Sequence, residues 1–332
     1  MPLGDRRPGI ILPGGVDMAL AQRLAQEAEA AGAEAVWIPD VRREPYLLSA
    51  AALSSTAKID VGTNVAVAFA RSPALTAQAA WDLNHWSGGR FILGLGSQVK
   101  GTLERRFGVS AAHPGPMLRD YVSAVRACFA AYREGRGSYS GEHFQITQPV
   151  FMPGADSSWP EPPIYIAGVN PEMTSIAGEC ADGFAAHIFL TERYLEEVID
   201  PALAAGAAKA GRPKPAVLIS LLVAPSRDML ARQMTAYAVP GYRRVLDHGG
   251  LGAEADAILT ALAERRRGDA QAIIDPAVLD RLAVSLLDDL PSGIARWGRR
   301  ADRLTLCVPW YGITADEQVE IARQVLTSLE KM

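Results

Sequence analysis

The sequence predicts a (β/α)8 TIM barrel, one parallel sheet closed on itself. Three observations carry this. Short apolar runs stopped by Gly, Pro or Asp alternate with helix-length stretches, eight such units can be counted, and composition does not shift between them. A doubly wound open sheet is the alternative that the same rhythm allows. The units share no residue pattern, so the rhythm is structural rather than a sequence repeat.

The elements follow in order. Ile10-Ile11-Leu12 is a strand stopped by Pro13-Gly14-Gly15. Asp17 suits the N-cap of a helix running to Ala31, with Gly32 as its terminator. Ala35–Ile38 is the second strand, ending at Pro39-Asp40, and a helix spans about 45–57. Ile59–Ala68 is the third strand, leaving through Arg71-Ser72-Pro73 into a helix that runs to about Trp86. Phe91-Ile92-Leu93 opens the fourth, followed by the glycine loop Gly94-Leu95-Gly96-Ser97-Gln98. A long helix covers 116–134. The stretch 137–163, rich in Gly, Pro and aromatics, interrupts the alternation as an insertion with a hairpin near Ser140-Gly141-Glu142. Alternation resumes with Ile164–Gly168, a helix from Pro171, a sixth strand over 182–187, a helix capped by Thr191 and a seventh strand over 217–223. The stretch 227–300 is a helical excursion before the eighth strand, 304–308, and the last helix covers about 315–329. The whole chain, 1–332, is expected to form one domain.

Composition narrows the function classes. Hydrophobic residues make up 49% and charged residues 21%, as in a globular protein with a sizeable core. Lys plus Arg number 33 against 37 acidic residues, a net charge of −4, which argues against a nucleic-acid footprint. Cys128, Cys180 and Cys307 are scattered and read as reduced thiols; the five histidines are dispersed, so no metal site is expected. With no signal-like N-terminus and no membrane-length apolar run, the expected location is the cytoplasm.

In a barrel the chemistry sits where strands end at the C-terminal face. That rule selects Asp40, Asn64 to Arg71, Gly94 to Gln98, Ala167 to Asn170, His187 and Trp310-Tyr311. Two of these loops favour anions. Gly96-Ser97-Gln98 offers N–H groups and a hydroxyl, and Gly168-Val169-Asn170 leads into a helix N-terminus. Gly168 is expected to let backbone approach phosphate. The dinucleotide fingerprint fails at Val99, and Leu95-Ser97-Val99 rules out a nucleophile elbow. Trp37, Trp81 and Trp86 read as core, and His85 as packing beside Trp86; Trp310 is placed to wall a ring.

The segments VWIPD, VGTNVAVAFARSP, WDLNHWSGGRFILGLGSQ and PPIYIAGVNPEMTSIAGECADGF, in this order and spacing, resemble the luciferase-like superfamily of flavin- and deazaflavin-dependent oxidoreductases. VAVAFARSP, SGGRFILGLGSQVKGTLERRFG and HPGPMLRDY are most similar to its actinobacterial F420-dependent branch. The resemblance implies F420, with FMN as the alternative, a small-molecule substrate and a homodimer. It implies a non-prolyl cis peptide at Asn64-Val65, behind the cofactor ring. It assigns cofactor contacts to Asp40, Asn64, Val65, Gly96, Ser97, Gln98, Ala167, Gly168, Val169 and Asn170. Sugar-phosphate dehydrogenases of the superfamily carry His and Glu where this chain has Val41 and Val99.

Three residues are the candidates for chemistry. Arg71 can fork onto an anionic group of substrate or cofactor, and His187 and His113 can donate a proton. The leading function is hydride transfer between a deazaflavin and a small organic molecule. An FMN-dependent monooxygenase is the alternative, and a non-catalytic cofactor-binding protein the third reading.

Overall fold

A computed structural model of the protein describes residues 7–147, 159–238 and 240–332. Twelve strands are found among them: β1 (Gly9–Ile11), β2 (Ala35–Ile38), β3 (Asp60–Thr63), β4 (Ala66–Val67), β5 (Phe91–Gly96), β6 (Tyr139–Ser140), β7 (Gln145–Ile146), β8 (Ile164–Gly168), β9 (Gly183–Ala186), β10 (Ala216–Ala224), β11 (Val284–Leu286) and β12 (Arg303–Cys307). β1, β2, β3, β5, β8, β9, β10 and β12 pair in parallel in that sequence, and β12 returns to β1. The sheet is therefore a closed eight-stranded barrel, and the open-sheet alternative is excluded.

Local chemistry explains most element ends. Helix α1 (Met18–Ala30) starts where the Asp17 carboxylate accepts the Leu20 N–H, and Gly32 follows it at a φ of 74°. Helices α2 (Pro45–Ser55) and α3 (Pro73–Trp86) both carry Pro in the first turn, behind the caps Glu44 and Ser72. Helix α4 (Lys100–Phe107) stops at Gly108 and α5 (Pro114–Glu134) at Gly135, each glycine left-handed. Helix α6 (Pro171–Cys180) is capped by Asn170, and Thr191 caps the turn after β9. The β6–β7 hairpin lies at the predicted insertion, tied to α5 by Asp120, which accepts from Tyr139 and from the His143 and Phe144 N–H groups. Residues 148–158 of that insertion lie outside the described residues.

Two readings need correction. The excursion is not wholly helical, because Val284–Leu286 forms β11, which pairs with the far end of β10 at Leu222–Ala224. A three-residue strand borrowing one long neighbour carries too little periodicity to stand out among helices. Trp86, read as core, is 58% exposed on the last turn of α3, and His85 beside it is exposed too. Trp37 and Trp81 are buried as expected.

The barrel interior holds Trp37, Ile92, Tyr165, Ala185 and Leu218, one layer of inward-facing residues. Below them, at the N-terminal end, Arg303 is 8% exposed and donates to Glu34 and to Asp60, both at 2.9 Å, beneath the Trp37 ring. This plug closes the end opposite the chemistry. No helix among the described residues is long and apolar enough to cross a membrane.

Replacing Arg303 with Met should cost about 3–5 kcal/mol, because two carboxylates then face the barrel floor without their shared cation. Chemical unfolding of wild type and R303M measures it; equal midpoints would remove the plug from the account.

Candidate functional site

A cavity of about 620 Å³ opens at the C-terminal ends of the barrel strands. All ten predicted cofactor contacts line it: Asp40, Asn64, Val65, Gly96, Ser97, Gln98, Ala167, Gly168, Val169 and Asn170. His187 lines it as well. Arg71 and His113 do not.

The third strand is broken as predicted. β3 ends at Thr63, the Asn64-Val65 peptide is cis, and β4 resumes at Ala66. The break is met by glycines across the sheet. A Cβ on Gly94 would lie 1.9 Å from the Thr63 carbonyl oxygen, and one on Gly96 would lie 2.7 Å from Val65 Cγ2. Gly96 lines the cavity, and both glycines also make room for the protein's own third strand. The Thr63 hydroxyl donates to the Gly94 carbonyl at 2.6 Å and accepts the Gly94 N–H at 2.9 Å, stitching β3 to β5.

Asp40 holds the far side of the break. Its carboxylate, 4% exposed, accepts the Val67 N–H at 3.1 Å and an Arg71 N–H at 2.8 Å. Arg71 also donates to Glu44 at 2.8 Å and lies over the Tyr46 ring. The fork expected to grip a ligand is thus closed on two carboxylates of the protein, and Arg71 is a positioning residue. His113 precedes α5 at the surface, exposed, while its neighbour Pro114 touches the cavity. Its side chain is no proton donor to this site.

The two anion loops differ. No side chain caps the N-terminus of α4, and the Gln98 side chain, at a φ of 60°, accepts only the Val99 N–H. That helix end remains open to an anion. At α6 the Asn170 side chain already accepts the Met173 N–H, Pro171 has no N–H, and Glu172 adds a negative charge to the first turn. Gly168 has a packing role too: a Cβ there would come within 2.9 Å of Met173 Cγ and 3.2 Å of Phe184.

The opposite wall is aromatic. The His187 ring stacks on Tyr242 at 4.6 Å and meets the Tyr237 edge at 4.6 Å; Tyr237 meets Trp310 at 5.8 Å. Trp310 is held by Gln233, whose Oε1 accepts the N–H groups of Trp310 and Tyr311. The Phe189 N–H donates to His187 Nδ1 at 3.0 Å, which leaves the ring proton on Nε2. Burial pushes the His187 pKa down to about 4 and the Cys307 thiol up to about 12, so the first is neutral and the second inert near pH 7. Tyr237, Tyr242, Ser220, Cys307 and Arg42 line the cavity without having been predicted. A polar residue inside the apolar run Ala216–Ala224 and an aromatic pair flanking Pro240-Gly241 were the signals for Ser220 and the tyrosines.

Gly94→Ala should lower stability by more than about 3 kcal/mol, since backbone cannot yield as a side chain can. Gly168→Ala should cost about 1–3 kcal/mol with or without a ligand, because Met173 must move. Thermal midpoints of the two variants test both. His187 predicts a pH effect. Its folded pKa lies below the unfolded value of 6.5, so the unfolded chain binds more protons between about pH 6.5 and 4. The stability it contributes is full above that window and is lost as pH falls through it. Unfolding curves of His187→Gln should show a shallower acid loss there; a curve parallel to wild type would contradict this.

Comparison with known proteins gives the family. A family model described as luciferase-like monooxygenase matches residues 5–304. An uncharacterized protein of Mycobacterium tuberculosis (strain ATCC 25618 / H37Rv) is 36% identical over 258 residues, 71% of this chain and 76% of its own. The 5,10-methylenetetrahydromethanopterin reductase of Archaeoglobus fulgidus is 32% identical over 241 residues, 69% of each chain. The coenzyme F420-dependent tetrahydromethanopterin reductase of Methanopyrus kandleri shares the fold, with a TM-score of 0.76 at 20% identity over 97% of this chain and 98% of its own. A closed parallel barrel with this family match over most of its length is an oxidoreductase or monooxygenase, and the chain belongs to the luciferase-like monooxygenase family.

Proposed function

We propose that the protein is an F420-dependent oxidoreductase acting on a small organic substrate. The observation that carries this is a cavity with apolar side chains beside the strand break and an uncapped helix N-terminus near them. Val65, Val67 and Ala167 form the apolar side, small or β-branched residues that let a planar ring lie close. The uncapped N-terminus of α4 lies beyond it, where backbone N–H groups suit a phosphate. Arg42 also lines the cavity and forms no ion pair among the described residues, so positive charge faces an anionic ligand at the mouth. Asp40, already neutralised by Arg71, does not oppose it.

The residues present fit a deazaflavin, which when bound supplies a hydride. The chain orients and encloses. Gln98 and Ser97 shape the phosphate loop, and the wall of His187, Tyr237, Tyr242 and Trp310 bounds the space left for substrate. Burial keeps His187 neutral and raises the pKa of both tyrosines, so this wall offers hydrogen bonds rather than charge. FMN fits the same shelf and anion site, and the family's monooxygenases make it the second reading. A homodimer is part of the proposal, to be tested by light scattering.

Titration of the protein with F420 and with FMN, followed by fluorescence quenching, decides the cofactor. F420 should bind more tightly, and Arg42→Ala should weaken it by about tenfold, the effect of one charge-assisted contact. Tighter binding of FMN would overturn the F420 reading. Loss of both, with the fold intact by circular dichroism, would overturn the cofactor site.

A further inference from the structure

Along the cavity wall, β9 and β10 place two polar side chains beside each other. Leu218 pairs with Ala185, and both face the barrel interior. Continued two residues further, one past the end of β9, that register brings Ser220 to the level of His187, and both line the cavity. Ser220 is 2% exposed, yet its hydroxyl hydrogen-bonds nothing among the described residues. On its other side it pairs with Thr305, whose own hydroxyl is buried without a partner. His187 Nε2 likewise has no partner among the described residues, where the ring's one hydrogen bond is at Nδ1. Ser220 Oγ and His187 Nε2 thus open onto the cavity rather than onto protein partners, and polar atoms placed so at a cavity wall suit a ligand atom that completes them.

Resting on the reading above, we propose that His187 Nε2–H and the Ser220 hydroxyl form a two-donor site for one substrate oxygen, the carbonyl of a ketone or aldehyde. Neighbouring strands lie about 4.8 Å apart, so donors on adjacent inward positions can converge on a single acceptor. Nδ1 fixes the tautomer that makes His187 a donor, and Tyr242 stacked on its ring fixes the plane. The surrounding wall of Tyr237, Trp310 and Ile188 is apolar and suits the carbon skeleton. The pair selects substrates by an oxygen at this depth, whereas Arg42 stands exposed at the mouth.

The test pairs a ketone with its hydrocarbon shape. Acetone, cyclohexanone and benzophenone, and methylenecyclohexane in place of cyclohexanone, are titrated into ¹⁵N-histidine-labelled protein while the His187 Nε2 resonance is followed. At least one ketone should shift that resonance, and methylenecyclohexane should not. Ser220→Ala should weaken the ketone by about 3- to 10-fold, the usual effect of one hydrogen bond, and Ser220→Thr should restore it. His187→Leu should abolish the ketone's advantage over the hydrocarbon. No shift with any ketone, or equal ketone affinity in wild type and Ser220→Ala, would overturn the pair. F420 titration of the same variants separates the two claims. If F420 binds normally while ketones show no preference, the donor pair falls and the cofactor reading stands. If ketones engage the pair while neither F420 nor FMN binds, the cofactor reading falls alone.

Discussion

The site depends on one close approach, that of the Thr63 carbonyl to the Cα of Gly94. No side chain can stand there, because its Cβ would lie 1.9 Å from that oxygen. The barrel's third strand therefore breaks toward the fourth, and only a glycine on the fourth lets it. The Thr63 hydroxyl uses the same proximity, bonding both the carbonyl and the N–H of Gly94. Val65 then points into the cavity over Gly96, whose lack of a side chain gives it room. Steric exclusion thus sets where a flat ligand can lie, before any polar contact is made.

Polar groups secure that arrangement from the other side. A carboxylate as buried as Asp40 needs a cation and N–H donors, and it has Arg71 and Val67. Such a pair adds little net stability, since desolvation offsets most of the attraction, but breaking it leaves a charge stranded. Its value lies in position: Asp40 follows β2, Arg71 follows β4, and bonding them fixes the loops on both flanks of the break. An arginine closed on two carboxylates serves geometry, whatever its place near the rim suggests.

Much of the fold was legible because strands buried on both faces read as apolar runs and helices carry caps and stops in their own sequence. Asp17 and Thr191 announced their helices by side-chain chemistry acting within four residues, and Ser72 and Asn170, not singled out as caps, act the same way. The cavity loops were legible for a similar reason, since a barrel places them by rule. Long-range contacts were less so. Nothing near Arg71 in sequence says that Asp40, thirty-one residues earlier, will claim it. Gly94 and Gly96 were recognised as special, but whether a glycine yields room to a ligand or to a neighbouring strand is settled only by what stands opposite. β11 and the tyrosines were hidden by a long helical stretch whose few extended residues take their order from β10 and from the cavity.

The departures from the sugar-phosphate dehydrogenases acquire a meaning at this point. Where those proteins carry His and Glu, this chain places Val41 and Val99, and both line the cavity, at 45% and 54% exposure. The wall formed by the second and fourth barrel strands therefore carries one carboxylate among its described cavity-lining residues, Asp40, and that is paired with Arg71. The groups able to hydrogen-bond a ligand deep in the cavity lie instead just past β9 and on β10, where His187 Nε2 and the Ser220 hydroxyl have no hydrogen-bond partner among the described residues. A neutral imidazole fixed as a donor cannot work as a strong acid near pH 7, but it can stabilise developing charge on an oxygen without itself changing protonation. What that wall offers a ligand is therefore orientation and hydrogen bonding rather than charge.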